Sequence, residues 1–170
     1  MFAAVACAGV PPAPNAPDDG RARAVIVRPA GQDTVRFEIP VVLRHCRSPR
    51  SGLVFEAVGG GNGLLVWLHG AGGDSAASGE FPILGVRDTV SKRGAVVSVR
   101  YMTGELAHGY SLDSGTIGVT ASPGRLALRV SGSGLETPGA FRPLLDAALD
   151  SVALDRSPTA ADSVPCERLP

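Results

Sequence analysis

The chain predicts an all-β fold, an antiparallel β-sandwich or squat barrel of about seven to nine strands with at most one short C-terminal helix. Three observations point there. From residue 22 onward the apolar residues recur mainly with a period of two, as on a half-buried strand. Clusters of Gly, Pro, Asn, Asp and Ser separate the periodic runs. No segment reaches eighteen consecutive apolar residues, so no helix long enough to span a bilayer is encoded.

Taken in order, residues 1–21 read as the residue of an export signal followed by a flexible tether, and residues 22–170 as a single β-rich domain. The stretch Pro11 to Gly20 is too rich in Pro, Ala and Asp to pack a core. Val35, Phe37 and Ile39 alternate with Thr34, Arg36 and Glu38 to give the first clear strand. Pro40 marks an edge or bulge before Val41 to Leu43 resumes it. Leu53 to Val58 and Leu64 to Leu68 flank the loop Gly59 to Gly63, a hairpin whose glycines tolerate positive φ. Phe81 to Leu84 is a short strand. Val97, Val99 and Tyr101 mark another, and the turn Ser122-Pro123-Gly124 joins Thr116–Thr120 to Leu126–Ser131. Phe141 to Leu154 is the exception. Leu144, Leu145, Ala148 and Leu149 have near-helical spacing, with Pro143 suited to a first turn, and the expectation is a short helix, or a shorter one followed by a strand at Ser151–Leu154.

Charge and composition exclude one class of partner. Sixteen basic and sixteen acidic residues cancel, and no concentrated basic surface is available to neutralise phosphates, so no nucleic acid is expected as partner. Lys92 is the sole lysine, which together with the richness in Ala, Gly and Pro reads as coding bias.

The three cysteines carry the localisation argument. Cys7 follows Ala4-Val5-Ala6, small residues of the kind that precede a lipidated cysteine, although Ala4 stands where leucine is usual. An odd cysteine count leaves one thiol over in any disulfide scheme; lipid on Cys7 removes it and leaves Cys46 to pair with Cys166. Closing a loop of about 120 residues would stabilise by roughly 4 kcal/mol in the chain-entropy model. The competing reading is two free thiols in a reducing compartment.

The most catalytic-looking run is Leu64-Leu65-Val66-Trp67-Leu68-His69-Gly70-Ala71-Gly72-Gly73. With Gly94 to Tyr101 it resembles the strands and oxyanion loop of α/β-hydrolase esterases, in which His69, Gly70, Gly72 and Gly73 would face a developing oxyanion and Ser111 would be the nucleophile. Gly109-Tyr110-Ser111-Leu112-Asp113 lacks the second glycine of a nucleophile elbow, and His108 is the last histidine, ahead of Ser111. The hydrolase fragment is therefore the alternative, expected to be inactive; a strand-end His69 leading into a glycine-rich turn is preferred. Trp67 lies inside an apolar run and is expected in a core. The histidines at 45, 69 and 108 lack ligand spacing, Cys-x-x-Cys is absent, and no metal or other cofactor is implied.

Glu80 to Ile83, Val97 to Tyr101, Tyr110 to Val119 and Leu126 to Gly132 together resemble uncharacterised exported bacterial lipoproteins with a β-sandwich-like domain, over about residues 33–166. The resemblance implies fold and location: a domain at the bacterial cell envelope, on its periplasmic or extracellular face, anchored to the membrane by lipid on Cys7. The role expected is binding an unknown protein or envelope partner, or supporting the envelope, without catalysis.

Overall fold

In the computed structural model, alternation becomes a sheet with few interruptions. The structure describes residues 20–29, 34–47, 52–71, 78–85, 88, 93–137, 141–153 and 163–165. Cys7, Gly72, Gly73 and Cys166, and the proposed tether up to residue 19, lie outside them.

Twelve strands form among the described residues: β1 (Arg21–Val27), β2 (Thr34–Arg47), β3 (Gly52–Gly59), β4 (Asn62–His69), β5 (Gly79–Pro82), β6 (Gly94–Thr103), β7 (Leu106–Ser111), β8 (Ser114–Ser122), β9 (Arg125–Ser133), β10 (Glu136–Thr137), β11 (Leu144–Ala153) and β12 (Ser163–Pro165). They order as β10-β7-β6-β4-β3-β2-β1-β11-β9-β8-β5, with every neighbouring pair antiparallel, while β12 adds to β2 in parallel. The sheet curls until its far edge meets β6. Ile83, just past β5, bridges Ala95, and the Leu84 N–H donates to the Ala95 carbonyl at 2.7 Å. The squat antiparallel architecture expected from the period of two is what forms.

Pro40 explains how one long strand serves two parts of the sheet. Residues 34–40 pair with β1 and residues 41–46 with β3, so β2 changes partner at the residue that has no N–H to donate. The strand that the sequence reads as interrupted at Pro40 and resumed at Val41 is thus one continuous element. At the β3–β4 hairpin the turn is tight: Gly60 and Gly61 sit at φ 56° and 79°, the two positive values a type I′ turn demands.

The inner face is the apolar set the alternation marked. Ala22, Ala24 and Ile26 of β1, Val97, Val99 and Tyr101 of β6, and Leu126, Leu128 and Val130 of β9 join one core cluster. Burial of each large aliphatic side chain there contributes on the order of 1.5–3 kcal/mol. On the outer face Arg21 and Arg23 reach Glu38, and Arg23 and Arg129 reach Asp150, at 3.3–4.0 Å. These exposed pairs across β2, β1, β11 and β9 stabilise little, but they favour one register. A second, small cluster of Val54, Trp67, Leu84 and Val96 covers the opposite face of β3, β4 and β6. Trp67 is therefore a packing residue, as expected.

The helix expected over Phe141 to Leu154 is corrected: Leu144–Ala153 is a strand between β1 and β9. Leu145, Ala147 and Leu149 point inward with a period of two, whereas Leu144, which completed the helical stripe, is 58% exposed. A register shift between Leu149 and Val152 then returns Val152 to the core.

Candidate functional site

The sites marked in the sequence are dispersed by the fold. His69 ends β4, buried, paired to Gly52 on one side and Gly94 on the other, with its ring 3.7 Å from that of Trp67. Gly70 follows at φ 73°, so the His-Gly step is a strand end and turn. Ser111 lies on β7, and its hydroxyl meets that of Ser98 at 3.0 Å. The hydrolase alternative requires a parallel sheet flanked by helices. Here β4 and β6 run antiparallel, and no helix occurs among the described residues, so that alternative is overturned. Cys46 lies on β2 opposite Val164 of β12, and β12 ends at Pro165, the residue before Cys166.

Chemistry gathers instead where β6, β7 and β10 run side by side. In the β6–β7 hairpin Tyr101 pairs with His108, Thr103 with Leu106 and Val99 with Tyr110; Glu136 of β10 pairs with Tyr110 in turn. Because successive strand residues alternate faces, Tyr101, Thr103, His108, Tyr110 and Glu136 share one side. Gly104, at φ 60°, makes the two-residue turn that keeps Thr103 close to His108.

On that face the side chains connect without a break. The Tyr101 hydroxyl donates to Glu136 Oε2 at 2.6 Å. Glu136 Oε1 meets His108 Nδ1 at 2.5 Å, and His108 Nε2 meets the Thr103 hydroxyl at 2.6 Å. The His108 ring stacks on Tyr101, with centroids 4.9 Å apart, and Tyr110 contacts Tyr101 edge-on. Arg28, just past β1, brings Nη2 to 3.7 Å from Glu136 Oε1 and sets its guanidinium over Phe141.

Glu136 is 2% exposed, yet it is held ionised. Burial acts to raise its carboxyl, but the hydrogen bonds from Tyr101 and His108 and the nearby His108 and Arg28 outweigh it and leave it below the ordinary carboxylate value. Burial, then the hydrogen bond to that carboxylate, push the Tyr101 phenol up to about 12. Burial, with Tyr101 and Glu136 nearby, also raises Tyr110, whose hydroxyl has no hydrogen-bond partner among the described residues.

A carboxylate only accepts, so His108 Nδ1 must carry the proton it shares with Glu136. In the neutral imidazole, Nε2 is then free to accept the Thr103 hydroxyl proton. Hydroxyl, imidazole and carboxylate stand in line, the order that activates a hydroxyl as a nucleophile or passes a proton.

A different face offers a cleft of about 500 Å³ across β1, β11, β9 and β8, with Val25, Val27 and Leu144 among its lining. Its floor includes the register pair Gly115 and Gly132; a Cβ on Gly115 would stand 2.1 Å from the Ser131 carbonyl oxygen.

Sequence reasoning missed Glu136 because its strand is only two residues long and displays no period. The available signal was polarity at an inward position: Tyr101 and Thr103 continue the face of Val97 and Val99. Comparisons with protein-family models, with curated proteins and with solved structures find no match for this chain.

Proposed function

We propose that this all-β domain serves at the bacterial cell envelope, tethered by lipid on Cys7, with its C-terminal tail fastened by a Cys46–Cys166 disulfide, and that it acts by binding or supporting an envelope partner. The observation that carries this reading is the β12–β2 pairing. Val164 lies opposite Cys46, so the segment leading directly into Cys166 runs along the strand that bears the other cysteine. A three-residue strand with little apolar content has weak means of holding itself in place, and a covalent tie beside it would supply the fastening. A structural disulfide in turn suits an oxidising compartment, which is where the run before Cys7 and the Pro-rich stretch after it would deliver the chain.

Non-reducing peptide mapping of the chain expressed with export tests the bridge. Linked peptides containing Cys46 and Cys166 are expected; alkylation of both thiols without prior reduction overturns it. Metabolic labelling with a fatty acid, expected to be lost in Cys7→Ser, tests the anchor. Recovery of unlabelled full-length chain in a detergent-free soluble fraction refutes it.

A further inference from the structure

We propose that Thr103, His108 and Glu136 form an acyl-transfer site, with Thr103 as the nucleophile and short-chain apolar acyl esters as the substrate class. This goes beyond the envelope reading, which stands or falls on the cysteines, and departs from the expectation of a domain without catalysis.

Depth orders the three groups as a relay needs. Glu136 is the deepest, with its side chain 3% exposed; that of His108 is 10% exposed; Thr103 is half-buried at the hairpin end, where the relay meets solvent. Glu136 is fixed from two further sides, by the Tyr101 hydroxyl and by Arg28, so it orients the imidazole and stays ionised while the imidazole gains a proton. Glu136 is thus a positioning residue, and Thr103 and His108 are the catalytic ones.

The substrate class follows from the surroundings. Leu106, the cross-strand partner of Thr103, is 62% exposed. Leu135 and Phe141 are exposed next to Glu136, and the Phe141 carbonyl accepts the Glu136 N–H at 3.0 Å. Leu106 therefore flanks the outlet of the relay and offers a short acyl chain an apolar contact, while Leu135 and Phe141 lie at its far end. In the first step the Thr103 hydroxyl oxygen bonds to the ester carbonyl carbon as its proton passes to His108 Nε2. The carbon–alkoxy bond breaks, and His108 returns that proton to the leaving alkoxide. In the second step water attacks the acyl-threonine, His108 accepts its proton, and the carboxylic acid departs as Thr103 recovers the proton.

The test is covalent capture. The full chain is incubated with p-nitrophenyl acetate and p-nitrophenyl butyrate, quenched, and mapped by peptide mass. One acyl group per chain is expected on the peptide that holds Thr103. Thr103→Val should abolish it, Thr103→Ser should retain it, and His108→Gln should slow it by about a hundredfold. Glu136→Gln should lower the maximal rate of capture with little change in the ester concentration at half saturation. Ser111→Ala should leave capture intact. Acyl groups found on Lys92 or the amino terminus alone, capture that survives in Thr103→Val, or no capture by folded protein at any ester concentration each overturn the proposal. A circular dichroism spectrum recorded on every variant ensures that loss is read from folded chains, and Thr103→Ser supplies the rescue if Thr103→Val does not fold.

Discussion

His69 and His108 both sit on strands, both lie against an aromatic ring, and both are close to a glycine turn, yet their corners differ in kind. His69 lies against the Trp67 ring and between the backbones of Gly52 and Gly94, and Trp67 packs in turn with Val54, Leu84 and Val96. Around His108 are a carboxylate, two phenols, a threonine hydroxyl and a guanidinium. The first corner carried the motif, His-Gly followed by small residues; the second carried no motif at all. Proximity along the chain marked His69, whereas cross-strand register assembled the groups at His108. In an antiparallel sheet the chemistry of a side chain is set by its neighbours on adjacent strands, and at His108 the hairpin supplies Tyr101 and Thr103 while Glu136 and Arg28 come from distant sequence.

The contrast is open to direct challenge. Trp67→Ala at the first corner and Glu136→Ala at the second should each cost about 3–5 kcal/mol at neutral pH, one through lost packing and the other by leaving buried donors and a cation without their acceptor. Urea denaturation at several pH values separates them. The Glu136 carboxyl lies below its ordinary 4.5 in the folded chain, so its contribution is full above that value and is lost as pH falls through the folded value. The cost of Glu136→Ala should therefore shrink in acid, while that of Trp67→Ala should hold; parallel curves would erase the distinction between the corners.

Tyr101→Phe is a smaller step, removing one hydroxyl bonded to a charged acceptor at a cost of about 1.5–3 kcal/mol. It also has an alkaline signature. The phenol rises from 10.0 to about 12 on folding, so its share of stability is complete below 10.0 and is lost as pH climbs toward 12. Thermal melts across that window should fall more steeply for the native chain than for Tyr101→Phe. Equal slopes would mean that burial and Glu136 together do not hold the phenol protonated. The smallest effect is expected at an exposed pair: Arg142→Ala removes the ion pair with Asp113 and should cost less than about 1 kcal/mol, even though that partner holds the Asp113 carboxyl below its ordinary value. A loss comparable to that of Glu136→Ala would show that exposure is a poor guide here.

Much of the sheet was legible because alternation is a direct record of which face a strand buries. Val35 to Ile39, Val97 to Tyr101 and Leu126 to Val130 declared themselves. Leu144 to Leu149 misled for a physical reason. Leu144, Leu145, Ala148 and Leu149 satisfy a helical period, and Ala147, the small inward residue that restores the period of two, adds little to a hydrophobic count. β1 escaped notice because its inner face begins with two alanines, and β10 because two residues cannot display a period. The candidate site was less legible still. Thr103, His108 and Glu136 lie on three strands, and nothing local to any of them announces the other two.

The pairing of β1 with β11 governs how this molecule must come together in time. Arg21 lies against Asp150 and Val27 against Leu144, so about two thirds of the chain separates the two strands that join the halves of the sheet. A chain emerging from its N-terminus has β1 and β2 in hand early, but one edge of β1 stays open until β11 is delivered. Contacts of such long sequence separation fold slowly, because loop entropy is lost before the pairing repays it. During that interval the edge with Ala22, Ala24 and Ile26 is a surface on which a second nascent chain can pair. The late arrival of β11 thus sets the period in which the protein is most prone to aggregate, and holding the chain unfolded until it is complete would shorten it.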